Sequence, residues 1–123
     1  MNILEARFSS DHPIVFVADP TRYYELPLDE IGTAPIVATT SCIAIGTLAA
    51  VDGETTLKLG TSIVNPPGYL AFAGNLDTPG RTVAIIASDR TNILSMHVPG
   101  LTVHIKVWVN AHEQPDLIMI QVQ

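Results

Sequence analysis

Turn-forming pairs cut the second half of this chain into short apolar runs, and that cadence leaves little room for any fold class but all-β. Pro67-Gly68, Pro79-Gly80 and Pro99-Gly100 each set a residue of fixed φ before one that tolerates positive φ, and Asp52-Gly53 favours the type I′ turn that joins two strands directly. Val, Ile, Leu and Thr fill the runs between them. Apolar residues make up 47% of the 123 and charged residues 15%, enough apolar material for the core of one domain spanning residues 1–123.

Alternation of apolar and polar residues predicts a first strand over 2–8, a short buried strand over Ile14–Ala18 and an edge strand at Pro35–Thr39, where proline removes a backbone donor. Cys42–Val51 and Glu54–Leu59 flank Asp52-Gly53 and read as a hairpin with Thr55, Leu57 and Leu59 facing the core. Strands follow at 69–73 and 82–87, with a loop from Gly74 to Gly80. A second hairpin is expected between 93–98 and 101–109 through Pro99-Gly100, and the last strand at 117–122. Pro27 to Ile31, with Asp29 and Glu30 in the opening turn and Gly32 at the stop, predicts one short helical turn. Nine or ten short strands with no room for crossover helices point to an antiparallel β-sandwich, with an open barrel as the competing architecture.

Twelve acids against six bases give a net charge of −6, which repels nucleic acid and anionic membranes and attracts basic proteins. The first thirty residues are the more acidic part: Glu5, Asp11, Asp19, Glu25, Asp29 and Glu30 stand against Arg7 and Arg22. The same stretch holds Tyr23 and Tyr24, so Tyr23, Tyr24, Asp29 and Glu30 form the leading partner-binding candidate. Cys42 is the single cysteine, no signal core is apparent, and no apolar run reaches the roughly 20 residues of a membrane helix. A soluble, cytoplasmic protein is expected.

No catalytic motif is present. His112-Glu113-Gln114-Pro115-Asp116 opens like the zinc-protease helix, but Asp116 stands where a second histidine is required and Pro115 would break the helix. Ser9-Ser10-Asp11-His12 lacks a nucleophile elbow, and the glycines do not form a phosphate loop. Cys42 opens an apolar strand and reads as a core residue. Across the second expected hairpin, Ser95 would oppose His104 and His97 would oppose Thr102, placing His97 and His104 on one face with Lys106 and Trp108. Two histidines beside a lysine make a poor metal site, so no metal and no cofactor are expected. His104, Lys106 and Trp108 are instead a secondary candidate for protein contact, since an exposed Trp beside a cation is typical of binding hot spots.

The runs ARFSSDHPIVFVADP, LPLDEIGTAPIVATTSCIAIGTLAAVDGETTLKL and ILSMHVPGLTVHIKVWV together resemble the competence protein J family. These are small bacterial β-sandwich proteins whose named member inhibits a nuclease of DNA uptake. The resemblance covers most of the chain and implies a bacterial, non-enzymatic β-sandwich that works by protein contact, with a nuclease as partner. The chain departs from the family pattern at Leu26, where relatives carry Trp, and at Leu101-Thr102-Val103, where they carry an aromatic after the hairpin glycine. High aliphatic content and low charge favour a homo-oligomer, a dimer in the simplest case. Two other classes fit the composition: a ligand-binding β-sandwich with a pocket between the sheets or at a subunit interface, and a small hydrolase with an unrecognised site.

Overall fold

The computed structural model describes residues 3–123, so the strand position expected at Asn2 lies outside the described residues. Ten strands are present among them: β1 (Ile3–Phe8), β2 (Ile14–Ala18), β3 (Ile36–Ala38), β4 (Cys42–Gly46), β5 (Thr55–Gly60), β6 (Tyr69–Asp77), β7 (Thr82–Ala87), β8 (Asn92–His97), β9 (Thr102–Val109) and β10 (Leu117–Val122). They form two five-stranded sheets, one in the order β1-β5-β10-β9-β6 and the other in the order β3-β4-β2-β7-β8. The sheets pack face to face as a β-sandwich, the class the turn cadence predicts.

Between the sheets, Val15, Val17, Ile43, Ile45, Val83 and Ile85 meet Leu57, Leu59, Ile105, Val107, Ile118 and Ile120. The sequence distinguishes two kinds of strand here. In β9, Val103, Ile105, Val107 and Val109 are buried while the residues between them are not, the period of a sheet with one covered face. β2, β4 and β7 are near-continuous apolar runs, and both their faces are covered. Their second face carries a smaller cluster of Phe16, Ala18, Cys42, Ala44, Ala84 and Ile86.

Both expected hairpins are absent. β4 and β5 lie in different sheets, as do β8 and β9. The doubly apolar β4 needs a central place, which it finds between β3 and β2, whereas β5 has one wet face and pairs with β1 and β10. Between them, Thr47 and Leu48 donate backbone N–H groups to the carbonyls of Pro13 and Pro115, and Ala50–Asp52 makes a 3-10 turn before Gly53. Thr55, Leu57 and Leu59 face the core as expected, although β5 pairs with β1 and β10 and not with β4.

At Pro99-Gly100 the chain also changes sheets. Val98 N–H is held by the Arg81 carbonyl, and Thr78 binds both the Gly100 carbonyl through its hydroxyl (2.9 Å) and the Leu101 carbonyl through its N–H (2.8 Å). Consequently His97 registers with Thr82 and Ser95 with Ala84, while His104 registers with Asn75. The segment from Gly74 to Asp77, expected as loop, continues β6 along β9. The sheets are antiparallel except for one pair: β5 and β10 run parallel, Leu57 beside Ile118 and Leu59 beside Ile120. The helical turn expected at Pro27 to Ile31 is a hydrogen-bonded turn and not a helix: the Pro27 carbonyl accepts from Glu30 and Ile31, after which Ile31 bridges to Ala34 around Gly32, whose φ is 91°.

Candidate functional site

The residues between β2 and β3 form an extended strap over the outer cluster of the β3-β4-β2-β7-β8 sheet. Two hydroxyls clamp it at Glu25: the Glu25 N–H donates to Ser41 Oγ (2.8 Å), and Thr39 Oγ1 donates to the Glu25 carbonyl (2.6 Å). An extended chain held this way alternates its side chains. Tyr24 and Leu26 turn inward onto the cluster of Phe16, Cys42 and Ala44, and Tyr23 and Glu25 turn to solvent. Tyr23 is 86% exposed and Leu28, at the following turn, 70%. Large apolar side chains held in such a position on a clamped backbone lose little further freedom on contact with a partner.

Tyr23, Tyr24 and Asp29 line one shallow concavity of about 510 Å³, together with Arg22, Glu25, Leu28 and Arg90. Glu30 is exposed on the same turn but does not line it. Tyr24 therefore serves chiefly as cover for the sheet, and Tyr23 with Leu28 supplies the outward apolar surface. The charge also differs from the sequence expectation. Asp19 is withdrawn, 2% exposed, with Oδ1 accepting from Thr21 N–H and Oγ1 and Oδ2 accepting from Gly80 N–H. Burial alone would raise its pKa, but the hydrogen bonds from Thr21, Gly80 and Thr82 outweigh it and hold the carboxyl below its ordinary value.

Arg90 is the residue that sequence reasoning missed. It sits in the turn between β7 and β8, where its N–H donates to the Ala87 carbonyl, Ala87 N–H donates to the Thr91 carbonyl, and Asp89 Oδ1 accepts from Thr91 N–H. Backbone and side-chain hydrogen bonds from Thr91 hold the Asp89 carboxyl below its ordinary range. Arg90 has φ 73°, in the left-handed region where Gly or Asn is favoured and where another residue costs about 1 kcal/mol. Neither Arg90 nor Arg22 has a carboxylate partner among the described residues, so the surface is bipolar. No local sequence signal marks Arg90, because its neighbours in the concavity are more than sixty positions away.

The secondary candidates share one face of β9, as expected, with His104, Lys106 and Trp108 half-buried on the outer side of the β1-β5-β10-β9-β6 sheet. Trp108 stands in register with Met119 and Leu70, and His104 Nδ1 lies 3.1 Å from Asn75 Oδ1. His97 is in the other sheet and does not join them. Cys42 is fully buried, and burial pushes its thiol up to about 12, so it is a core residue and not a thiolate at neutral pH. Among the described residues no three His, Cys, Asp or Glu side chains are grouped to hold a metal ion, and no helix is long and apolar enough to cross a membrane.

No protein-family model matches this sequence, and no curated protein matches it. Solved structures do. The chain is similar to ComJ from Bacillus subtilis, an inhibitor of the DNA-degrading activity of NucA, with a TM-score of 0.62 and 17% identity over 99% of this chain and 94% of that one. It is also similar to the product of crocagin biosynthetic gene J, with a TM-score of 0.60 and 12% identity over 98% of this chain and 96% of that one. The fold is ComJ-like, as the resemblance of the three sequence runs implies.

Proposed function

We propose that this chain is a non-enzymatic binding module that restrains a DNA-degrading nuclease by occupying the basic groove in which the enzyme holds its substrate. The observation that carries the reading is the clamped strap, which seals the sheet with Tyr24 and Leu26 and presents Tyr23, Leu28, Asp29 and Glu30 outward. The ComJ-like fold supplies the kind of partner. Asp29 and Glu30 stand in for phosphates in the groove, and Tyr23 and Leu28 bury apolar area beside them. Arg22 and Arg90 meet an acidic group at the edge of the contact, which orients the module.

The test is inhibition of plasmid degradation by a nuclease from the same genome, with association and dissociation followed separately. Replacing Asp29 and Glu30 together by Lys is expected to slow association by at least about tenfold and flatten its salt dependence, because charge at such a surface acts mainly on encounter. Tyr23→Ala is expected to hasten dissociation on a similar scale. Arg90→Gly relieves the left-handed backbone but frees the unfolded chain, so it should change stability by less than about 1 kcal/mol and yet weaken inhibition. Full inhibition by the double-lysine variant at both low and moderate salt would overturn the reading.

A further inference from the structure

The edge strands β3 and β6 flank the same side of the sandwich, and they converge at one end only. There the Asp77 N–H donates to the Thr40 carbonyl at 2.9 Å, tying β6 to the turn between β3 and β4. At the other end β6 carries a bulge: Leu70 registers with Trp108 and Phe72 with Val107, leaving Ala71 as the extra residue. Bulges bend an edge strand away from its neighbours. Beside this one a cleft of about 280 Å³ opens between Ala71 and Ile36 and reaches the buried side chains of Ile45 and Val109.

Its walls are aliphatic, and the side chains with hydrogen-bonding groups that line it are Tyr69 and His112. Tyr69 Oη lies 3.4 Å from His112 Nδ1. Asn110 fixes the loop that carries His112, its side chain bonding the Asp116 carboxylate and accepting from Leu117 N–H. If the phenol donates to Nδ1, the Nε2–H of the imidazole is left free; if Nδ1–H donates to the phenol oxygen, the Tyr69 O–H is left free. Either tautomer leaves one proton donor of the pair without a partner in it, beside an apolar cleft.

We propose that this cleft binds a small aliphatic molecule ending in a hydrogen-bond acceptor, with the chain in the cleft and the acceptor on the Tyr69–His112 pair. The volume lies at the small end of ligand pockets, which limits the occupant to a short chain. The site shares no lining residue with the strap surface, so it stands or falls independently of nuclease inhibition.

Titration of the full chain with hexanoate, 2-hexanone and hexylammonium, followed by methyl and amide NMR, tests the assignment. Hexanoate and 2-hexanone are expected to give saturable shifts at Ile36, Ala71 and Val109, and hexylammonium, which brings no acceptor, to bind at least about tenfold more weakly. Combining Tyr69→Phe with His112→Ala should erase that preference. Ala71→Leu fills the cleft and should abolish binding of all three probes with the amide spectrum otherwise retained; Ala34→Leu, at the rim, does the same if the first variant misfolds. The proposal is overturned by an absence of saturation up to about 20 mM, by equal binding of hexylammonium, or by binding that survives a folded filled-cleft variant.

Discussion

Replacing Asp19 by Asn is expected to lower stability by roughly 3 kcal/mol, a fall in Tm on the order of 10 °C, measured by thermal and urea unfolding. The carboxylate accepts from Thr21 N–H (2.9 Å), Thr21 Oγ1 (2.6 Å) and Gly80 N–H (2.5 Å), and so fastens the start of the strap to the turn between β6 and β7. An amide turns one acceptor into a donor and faces it to an N–H. The pH dependence has a definite sign. The folded pKa lies below the ordinary 3.8, so the contribution is complete above the unfolded value and is lost as pH falls from there through the folded value. The wild-type chain should therefore lose stability below about pH 4 more steeply than the Asp19→Asn variant. Equal acid sensitivity of the two would show that the carboxylate is not the anchor.

Gly68→Ala is expected to cost more, roughly 4 kcal/mol, and to leave a fraction of the protein unfolded during expression. Gly68 has φ 82°, and a β-carbon there would overlap the Val109 carbonyl oxygen and lie 2.9 Å from Asn110 Cα. Both obstacles are backbone of β9 and its following loop, so no rotamer change relieves them. Whatever fraction folds must shift Tyr69, the next residue, away from Val109, with which it is in register. Chemical denaturation measures the loss, and shifts confined to Tyr69, Val109 and His112 would locate it. Wild-type stability in this variant would refute the close approach.

Local chemistry made the strands legible and left their partners hidden. The apolar runs of β2, β7 and β10 have the ends that alternation and turn residues set for them. Asp52-Gly53 and Pro99-Gly100 do mark reversals of local direction, but a turn says nothing of which sheet receives the next strand. That is decided by covering both faces of β4 and only one of β5, a condition that needs the whole chain. The candidate surface divides in the same way. Tyr23 and Asp29 are close in sequence and were legible; Arg90 arrives from the far side of the fold, and the cleft is assembled from segments around residues 34, 45, 70, 109 and 112.

β10, the last strand in sequence, is the middle strand of its sheet, with β5 on one side and β9 on the other. During folding, the pairs β1-β5 and β9-β6 can therefore assemble only as two separate ribbons, each with an unfilled edge, until residues 117–122 dock between them. The chain is most exposed to aggregation before β10 docks. A chaperone that shields strand edges should engage the chain until β10 docks, and removal of residues 117–122 should lower the soluble yield sharply.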